Sequence, residues 1–237
     1  MYSEKITTVL KENGIAVNRP QAALLSAYLN ELLTVNQVTN LTAIKDPDEA
    51  IVKHIADCAL AVEFIPAGAD LLDVGSGAGL PAFPFAILRP DIKVTALDST
   101  GKKVDFINNT AGKLGIPNLK AICHRAEELG KNRSYRERYT VVTARAVSRL
   151  NQLSELCLPL LKVGGIFISM KSRLADEELS EALSGIGTLG GKPKKPVTLT
   201  LLGGDEPLER SVIVIDKRSH TPPQFPRAYA RISSKPL

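Results

Sequence analysis

The stretch Leu71-Leu72-Asp73-Val74-Gly75-Ser76-Gly77-Ala78-Gly79-Leu80-Pro81 decides how the rest of this chain is read. An apolar strand runs into an acid and three alternating glycines, and Pro81 then opens a helix. Glycines let a backbone turn sharply and come close to a ligand with no Cβ in the way. A second apolar strand, Ile92-Lys93-Val94-Thr95-Ala96-Leu97, ends in Asp98. An acid roughly 20 residues beyond a glycine turn can accept hydrogen bonds from both hydroxyls of a ribose. The pair predicts a nucleoside cradle on a parallel sheet.

Working outward, strands alternate with helices from residue 70 onward. Strands are predicted at 70–74, 92–97, 119–123, 139–144, 165–170, 197–202 and 210–216, and helices at 81–89, 100–115, 150–162 and 175–184. Near-continuous apolar strands separated by helices imply a parallel sheet covered on both faces. The last two strands, close together across Gly203-Gly204-Asp205, read as an antiparallel hairpin. Gly164-Gly165 reads as the end of the helix over Leu150 to Lys162. Gly185 to Pro196, rich in Gly, Lys and Pro, reads as a mobile loop.

Upstream, residues 3–66 are helical: Pro20 opens a helix over Ala22 to Gln37, and Asp46-Pro47-Asp48-Glu49 is an N-cap with proline at the first helical position. The fold class is therefore α/β, a mostly parallel seven-stranded sheet with an antiparallel end. It divides into an N-terminal helical extension (1–66), a ligand-binding domain (67–217) and a basic, proline-containing tail (218–237).

Composition narrows the function classes. A chain of 237 residues buries an ample core. It lacks the long apolar run of a membrane span, and its first residues do not form a signal peptide. Cys58, Cys123 and Cys157 are too scattered for a zinc site or disulfide framework and read as buried free thiols in a reducing cytoplasm. The net charge is +5, and after residue 190 nine Lys or Arg stand against four Asp or Glu. A basic end suits phosphate contact, although a merely solvated tail has the same composition.

The glycine spacing separates this loop from a dinucleotide fingerprint, which needs G-x-G-x-x-G. Leu80 stands at the third glycine's place, and a glycine sits at 79 instead. G-x-G-x-G with a downstream acid resembles the S-adenosylmethionine loop of Rossmann-like methyltransferases. The segment Asp73 to Lys103, DVGSGAGLPAFPFAILRPDIKVTALDSTGKK, resembles the RsmG (GidB) family. So do Asn40-Leu41-Thr42, His54-Ile55-Ala56-Asp57, Arg125-Ala126-Glu127, Thr143-Ala144-Arg145-Ala146, Met170-Lys171 and the ends Phe225-Pro226-Arg227 and Lys235-Pro236-Leu237. The likeness covers nearly the whole chain. It departs from the family pattern in having no Trp, in Cys58 and Ala82-Phe83, and in a tail without the usual glycine between its basic blocks.

The resemblance implies transfer of a methyl group from S-adenosylmethionine to N7 of a guanine in the 530 loop of 16S rRNA. It implies a cytoplasmic, metal-free monomer with bare 16S rRNA, the 30S subunit or its assembly intermediate as partner. The implied cofactor residues are Asp73, Gly75, Gly77, Gly79, Leu80, Asp98, Ser99, Ala126, Glu127 and Arg145. Arg145, Asn40 and Lys171 are the implied orienting residues. By residue type alone, Arg145 reads equally as a structural ion-pair partner, Asn40 as a capping residue and Glu127 as the start of a short helix. His54 reads as structural rather than as a base. Phe83, Phe85 and Tyr229 are the candidate stacking aromatics. Two other classes fit: a methyltransferase of a different substrate, and a non-catalytic rRNA-binding assembly factor that keeps the fold.

Overall fold

The computed structural model describes residues 2–145, 147–172 and 175–237; Ala146 of the Ala-Arg-Ala motif lies outside them. Its centre is an eight-stranded sheet of β1 (Asp70–Val74), β2 (Lys93–Asp98), β3 (Leu119–Cys123), β4 (Tyr139–Arg145), β5 (Leu161–Lys171), β6 (Gly191–Pro193), β7 (Val197–Leu201) and β8 (Leu208–Lys217). The order is β3-β2-β1-β4-β5-β8-β6, with β7 also on β8. The first five strands are parallel. β8 returns antiparallel to β5, and β6 and β7 pair antiparallel to β8. Strand order reverses between β1 and β4, which opens a crevice at the carboxyl ends of both.

The helices are α1 (Ser3–Glu12), α2 (Arg19–Thr39), α3 (Pro47–Ala50), α4 (Asp57–Ala59), α5 (Ala82–Leu88), α6 (Gly101–Leu114), α7 (Ala126–Leu129), α8 (Leu150–Cys157), α9 (Ala175–Thr188) and α10 (Tyr229–Ser234). A π-helical turn, Ile51–Ala56, joins α3 to α4. The Asp46 cap forms as read, and α2 carries a further cap that was not read. Asn18 and Gln21 close a capping box on α2, and Asp46 accepts the Glu49 amide at 2.8 Å. One core cluster joins α1, α2, α5 and α6 to one sheet face, and a second joins α7 to α10 to the other. Among the described residues no helix is long and apolar enough to cross a membrane.

The N-terminal helices fix the glycine turn from below. Tyr28, fully buried on α2, stacks on Phe83 with centroids 4.2 Å apart and donates its hydroxyl to the Ala78 carbonyl at 2.9 Å. Such a stacked pair adds about 1 kcal/mol beyond its area burial. Phe83 and Phe85 are both fully buried, so neither is a stacking platform for a ligand.

Five local expectations change. The sheet has eight strands, not seven, because Gly191–Pro193 pairs with β8. That strand lies in the stretch read as a mobile loop, and α9 runs on to Thr188. Ile186 and Leu189 are fully buried in the second core, a long-range burial that local composition does not carry. The helix from Leu150 ends at Cys157, where Pro159 supports a 3₁₀ turn instead.

Gly164-Gly165 therefore caps no helix. It lies in a bulge of β5, where Tyr139 pairs with Leu161 but Val141 with Ile166. A Cβ on Gly165 would sit 2.6 Å from the Thr140 carbonyl oxygen. Finally, Cys58 and Cys157 are buried, but Cys123 is exposed.

The C-terminal segment is packed against the second core. Lys217 is buried and donates to the carbonyls of Leu158 at 2.8 Å and Leu189 at 3.0 Å and to Thr221 Oγ1. Burial pushes its pKa down to about 8. Arg227 makes a two-pronged ion pair with Glu155, a fully buried residue of α8, and Arg218 pairs with Asp216.

Candidate active site

Two clefts open along the rim formed by the carboxyl ends of β1, β2, β4 and β5. The smaller, about 170 Å³, is lined among others by Gly75, Asp98, Ser99, Ala126, Glu127 and Tyr229. The larger, about 480 Å³, is lined by Asp57, Arg145, Met170, Lys171, Arg210 and their neighbours. Val147, in the loop after β4, is common to both.

The small cleft grows out of the glycine turn. Asp73, one residue before the end of β1, is almost wholly buried. Its carboxylate accepts the Ser76 hydroxyl at 2.5 Å and the Thr143 hydroxyl at 3.2 Å. Burial, partly offset by these bonds and by Arg145, pushes its pKa up to about 6. The amides of Gly75 and Ser76 close on the Leu97 carbonyl at 2.8 and 3.0 Å. Gly79 has φ +85°, and a Cβ there would meet the Phe83 ring at 2.5 Å. Helix α5 can therefore pack this close only with glycine at 79. At Gly77 the nearest atom to a built Cβ is 4.0 Å away, so this face of the turn is open.

Asp98 ends β2 and reaches back to the turn. One oxygen accepts the Gly77 amide and the other the Thr100 amide, both at 2.9 Å; Lys103 stands 3.8 Å away. A carboxylate has about four acceptor positions, so the two amides leave room for two hydroxyls. Ala126 and Glu127 open α7 beside it, and Glu127 accepts Arg125 Nε at 2.6 Å. Thus Gly75, Asp98, Ser99, Ala126 and Glu127 gather as read. Asp73, Gly77, Gly79 and Leu80 shape or support the turn, and Leu80 is buried in the core.

The larger cleft is organised by Asp57. Its two oxygens take Arg145 Nη1 at 3.0 Å and Arg210 Nε at 2.6 Å. Arg145 also donates to the Lys53 carbonyl at 3.1 Å. It lines this cleft, not the glycine cleft where its cofactor role was expected. Lys171 is held by Glu178 at 2.7 Å and the Ser148 carbonyl at 2.7 Å, so it braces the loop between the clefts. Asn40 is the exposed, left-handed C-cap of α2 and lines neither cleft.

His54 meets Thr42 Oγ1 at 2.7 Å and the Lys53 carbonyl at 3.2 Å. Burial and then Arg145 push its pKa down to about 4, leaving it a neutral pin for the Asn40-Leu41-Thr42 loop. Arg210 was missed as a site residue, and Tyr229, read as a candidate stacking aromatic, was not assigned to the glycine cleft. No local motif marks them, because both arrive from the C-terminal part of the chain. Among the described residues no group of three His, Cys, Asp or Glu could hold a metal ion.

The fold is shared with solved structures, a methyltransferase among them. A SAM-dependent methyltransferase from Aquifex aeolicus superposes with TM-score 0.55 at 17% identity, covering 75% of this chain and 97% of that one. The YcgJ protein of Bacillus subtilis gives TM-score 0.52 at 18% identity, covering 70% and 100%. In sequence, the ribosomal RNA small subunit methyltransferases G of Lactobacillus delbrueckii subsp. bulgaricus and Oceanobacillus iheyensis are each 41% identical to this chain. Both alignments cover 100% of both partners. The family model "rRNA small subunit methyltransferase G" matches residues 21–200, which hold the glycine turn, Asp98, Asp57 and Arg145. With agreement along the entire length, this chain belongs to the rRNA small subunit methyltransferase G family.

Proposed function

We propose that this chain, as a cytoplasmic monomer, transfers the methyl group of S-adenosylmethionine to N7 of a guanine in the 530 loop of 16S rRNA. The observation that carries this reading is the pair of clefts on one rim. A ribose-binding acid and an open glycine turn lie on one side of Val147, and an arginine-lined pocket lies on the other. Asp98 would hold the ribose, the open face of Gly77 would admit the amino-acid portion, and Ser99, Ala126 and Glu127 would flank the adenine. When bound there, S-adenosylmethionine supplies an electrophilic methyl on a sulfonium.

Guanine N7 keeps an in-plane lone pair and needs no deprotonation, so the site requires alignment rather than a general base. A neutral His54 in a structural role agrees with this. A-form RNA hides N7 in its deep groove, so the target base comes from a loop or is extruded. Arg145, held by Asp57, can grip O6 or a phosphate while leaving N7 free. Arg145→Ala is expected to slow methylation about tenfold to a hundredfold, with S-adenosylhomocysteine affinity unchanged. A wild-type rate would remove Arg145 from the base pocket.

Asp73 predicts a pH dependence. An ammonium group beside the turn favours the ionised carboxylate across it, lowering a pKa that stands at about 6 in the free protein. S-adenosylhomocysteine affinity is then complete above pH 6 and falls by up to about tenfold per pH unit below it. Calorimetry from pH 5 to 8 checks this, and Asp73→Asn should flatten the profile. A profile identical in the two proteins would take Asp73 out of cofactor binding.

The function itself is tested by incubating tritiated S-adenosylmethionine with bare 16S rRNA and with 30S subunits from a strain deleted for this gene. Labelled nucleotides are then mapped by mass spectrometry. Label at a 530-loop guanine N7 is expected. Label on another molecule would point to a different substrate, and no cofactor binding to a non-catalytic assembly factor.

A further inference from the structure

We infer that Tyr229 is the stacking platform for the cofactor's adenine, which makes the C-terminal segment a wall of the cofactor site. This rests on the cofactor reading above. Tyr229 lines the small cleft together with Asp98, Ser99, Ala126 and Glu127, the end of the cleft where a base attached to an Asp98-bound ribose must lie. The residue is 41% exposed, whereas Tyr28, Phe83 and Phe85 are fully buried. Two aromatic rings line this cleft, Tyr229 and the exposed His124 imidazole, and the tyrosine is the larger of them.

The position is built rather than incidental. Two residues earlier, Arg227 is anchored by the buried Glu155 through its backbone amide at 2.7 Å and its guanidinium at 2.6 Å. Three residues later, Ile232 is fully buried in the second core. Tyr229 is thus clamped on both sides while its own ring stays at the surface. The Arg125 guanidinium lies 5.0 Å over the ring centroid and is steadied by Glu127. A flat cation already lies over this ring, inside the same cleft, as a planar base would. Base stacking on an aromatic ring is the stronger of the two interactions, so adenine takes the ring face and Arg125 remains on Glu127.

The test uses the full-length protein with S-adenosylhomocysteine and adenosine as probes. Tyr229→Ala should weaken both about tenfold in calorimetry, and Tyr229→Phe should bind within twofold of wild type. The chain contains no Trp, so Tyr229→Trp carries a single reporter, and its emission should be quenched by saturating S-adenosylhomocysteine. This readout decides the matter even where Tyr229→Ala fails to fold. Unchanged affinity in Tyr229→Ala, or unquenched emission in Tyr229→Trp, overturns the inference. So does a Tyr229→Ala protein that loses rRNA binding while keeping cofactor affinity, since the ring would then serve an RNA base. Failure of the wild-type protein to bind either probe would instead sink the cofactor reading itself.

Discussion

Asp98→Ala is expected to weaken S-adenosylhomocysteine binding by about 10²–10³-fold. The carboxylate joins the two halves of the cradle. It accepts the Gly77 amide from the glycine turn and the Thr100 amide from the start of α6, both at 2.9 Å. Alanine removes the acceptor for both amides and for the two ribose hydroxyls. Hydrogen bonds to a charged group are each worth about 1.5–3 kcal/mol. Losing those to the ribose, together with the geometry of the turn, amounts to about 3–4 kcal/mol of binding. Asp98→Asn should fall between, because the amide oxygen still accepts but carries no charge. Isothermal titration of the three proteins measures the series, and an alanine variant within threefold of wild type would exclude Asp98 as the ribose anchor.

Glu155→Ala should cost about 3 kcal/mol of stability and release the C-terminal segment. Glu155 is fully buried, and both its oxygens are committed to Arg227, with contacts of 2.6 to 3.1 Å. Removing one partner of a buried pair leaves an uncompensated charge, a defect worth about 3–5 kcal/mol. The lower figure applies here because Arg227 keeps some solvent contact, its side chain being 21% exposed. In a protein of this size the loss corresponds to a fall in Tm of about 10 °C. Calorimetry measures it, and limited proteolysis should cut first between Arg218 and Arg231. A variant that melts with wild type, its tail still protected, would show that the segment is held by its apolar contacts alone.

The glycine cleft was legible because it is local. Strand, acid, glycine turn and helix follow one another within Leu71 to Leu88, and the second strand delivers Asp98 within a single crossover. Apolar continuity marked the parallel strands, and Pro20 and the Asp46 cap marked the helix starts; these signals depend only on neighbouring residues. The glycine positions carried further information, since the tight approach of Phe83 to Gly79 requires the absence of a side chain there.

Charge was the poorest guide. The C-terminal excess of Lys and Arg reads as a phosphate-binding tail. In the fold, however, Lys217 is buried, Arg227 is spent on Glu155 and Arg218 on Asp216. A sequence counts cations but does not show which acids, distant in the chain, will pair with them.

The sequence by itself determined the α/β class, the glycine turn with Asp98 beside it, and the family. Each is written in contiguous residue patterns whose physics is short-range: backbone freedom, periodicity and capping. Only the tertiary structure decided the arginine-lined cleft and the far wall of the glycine cleft. Arg210 reaches Asp57 across 153 positions of chain because β8 returns antiparallel beside β5. Tyr229 reaches the cleft because Arg227 and Ile232 pin the end of the chain onto α8 and the second core. Such meetings are fixed by sheet order and burial, which belong to the folded chain as a whole.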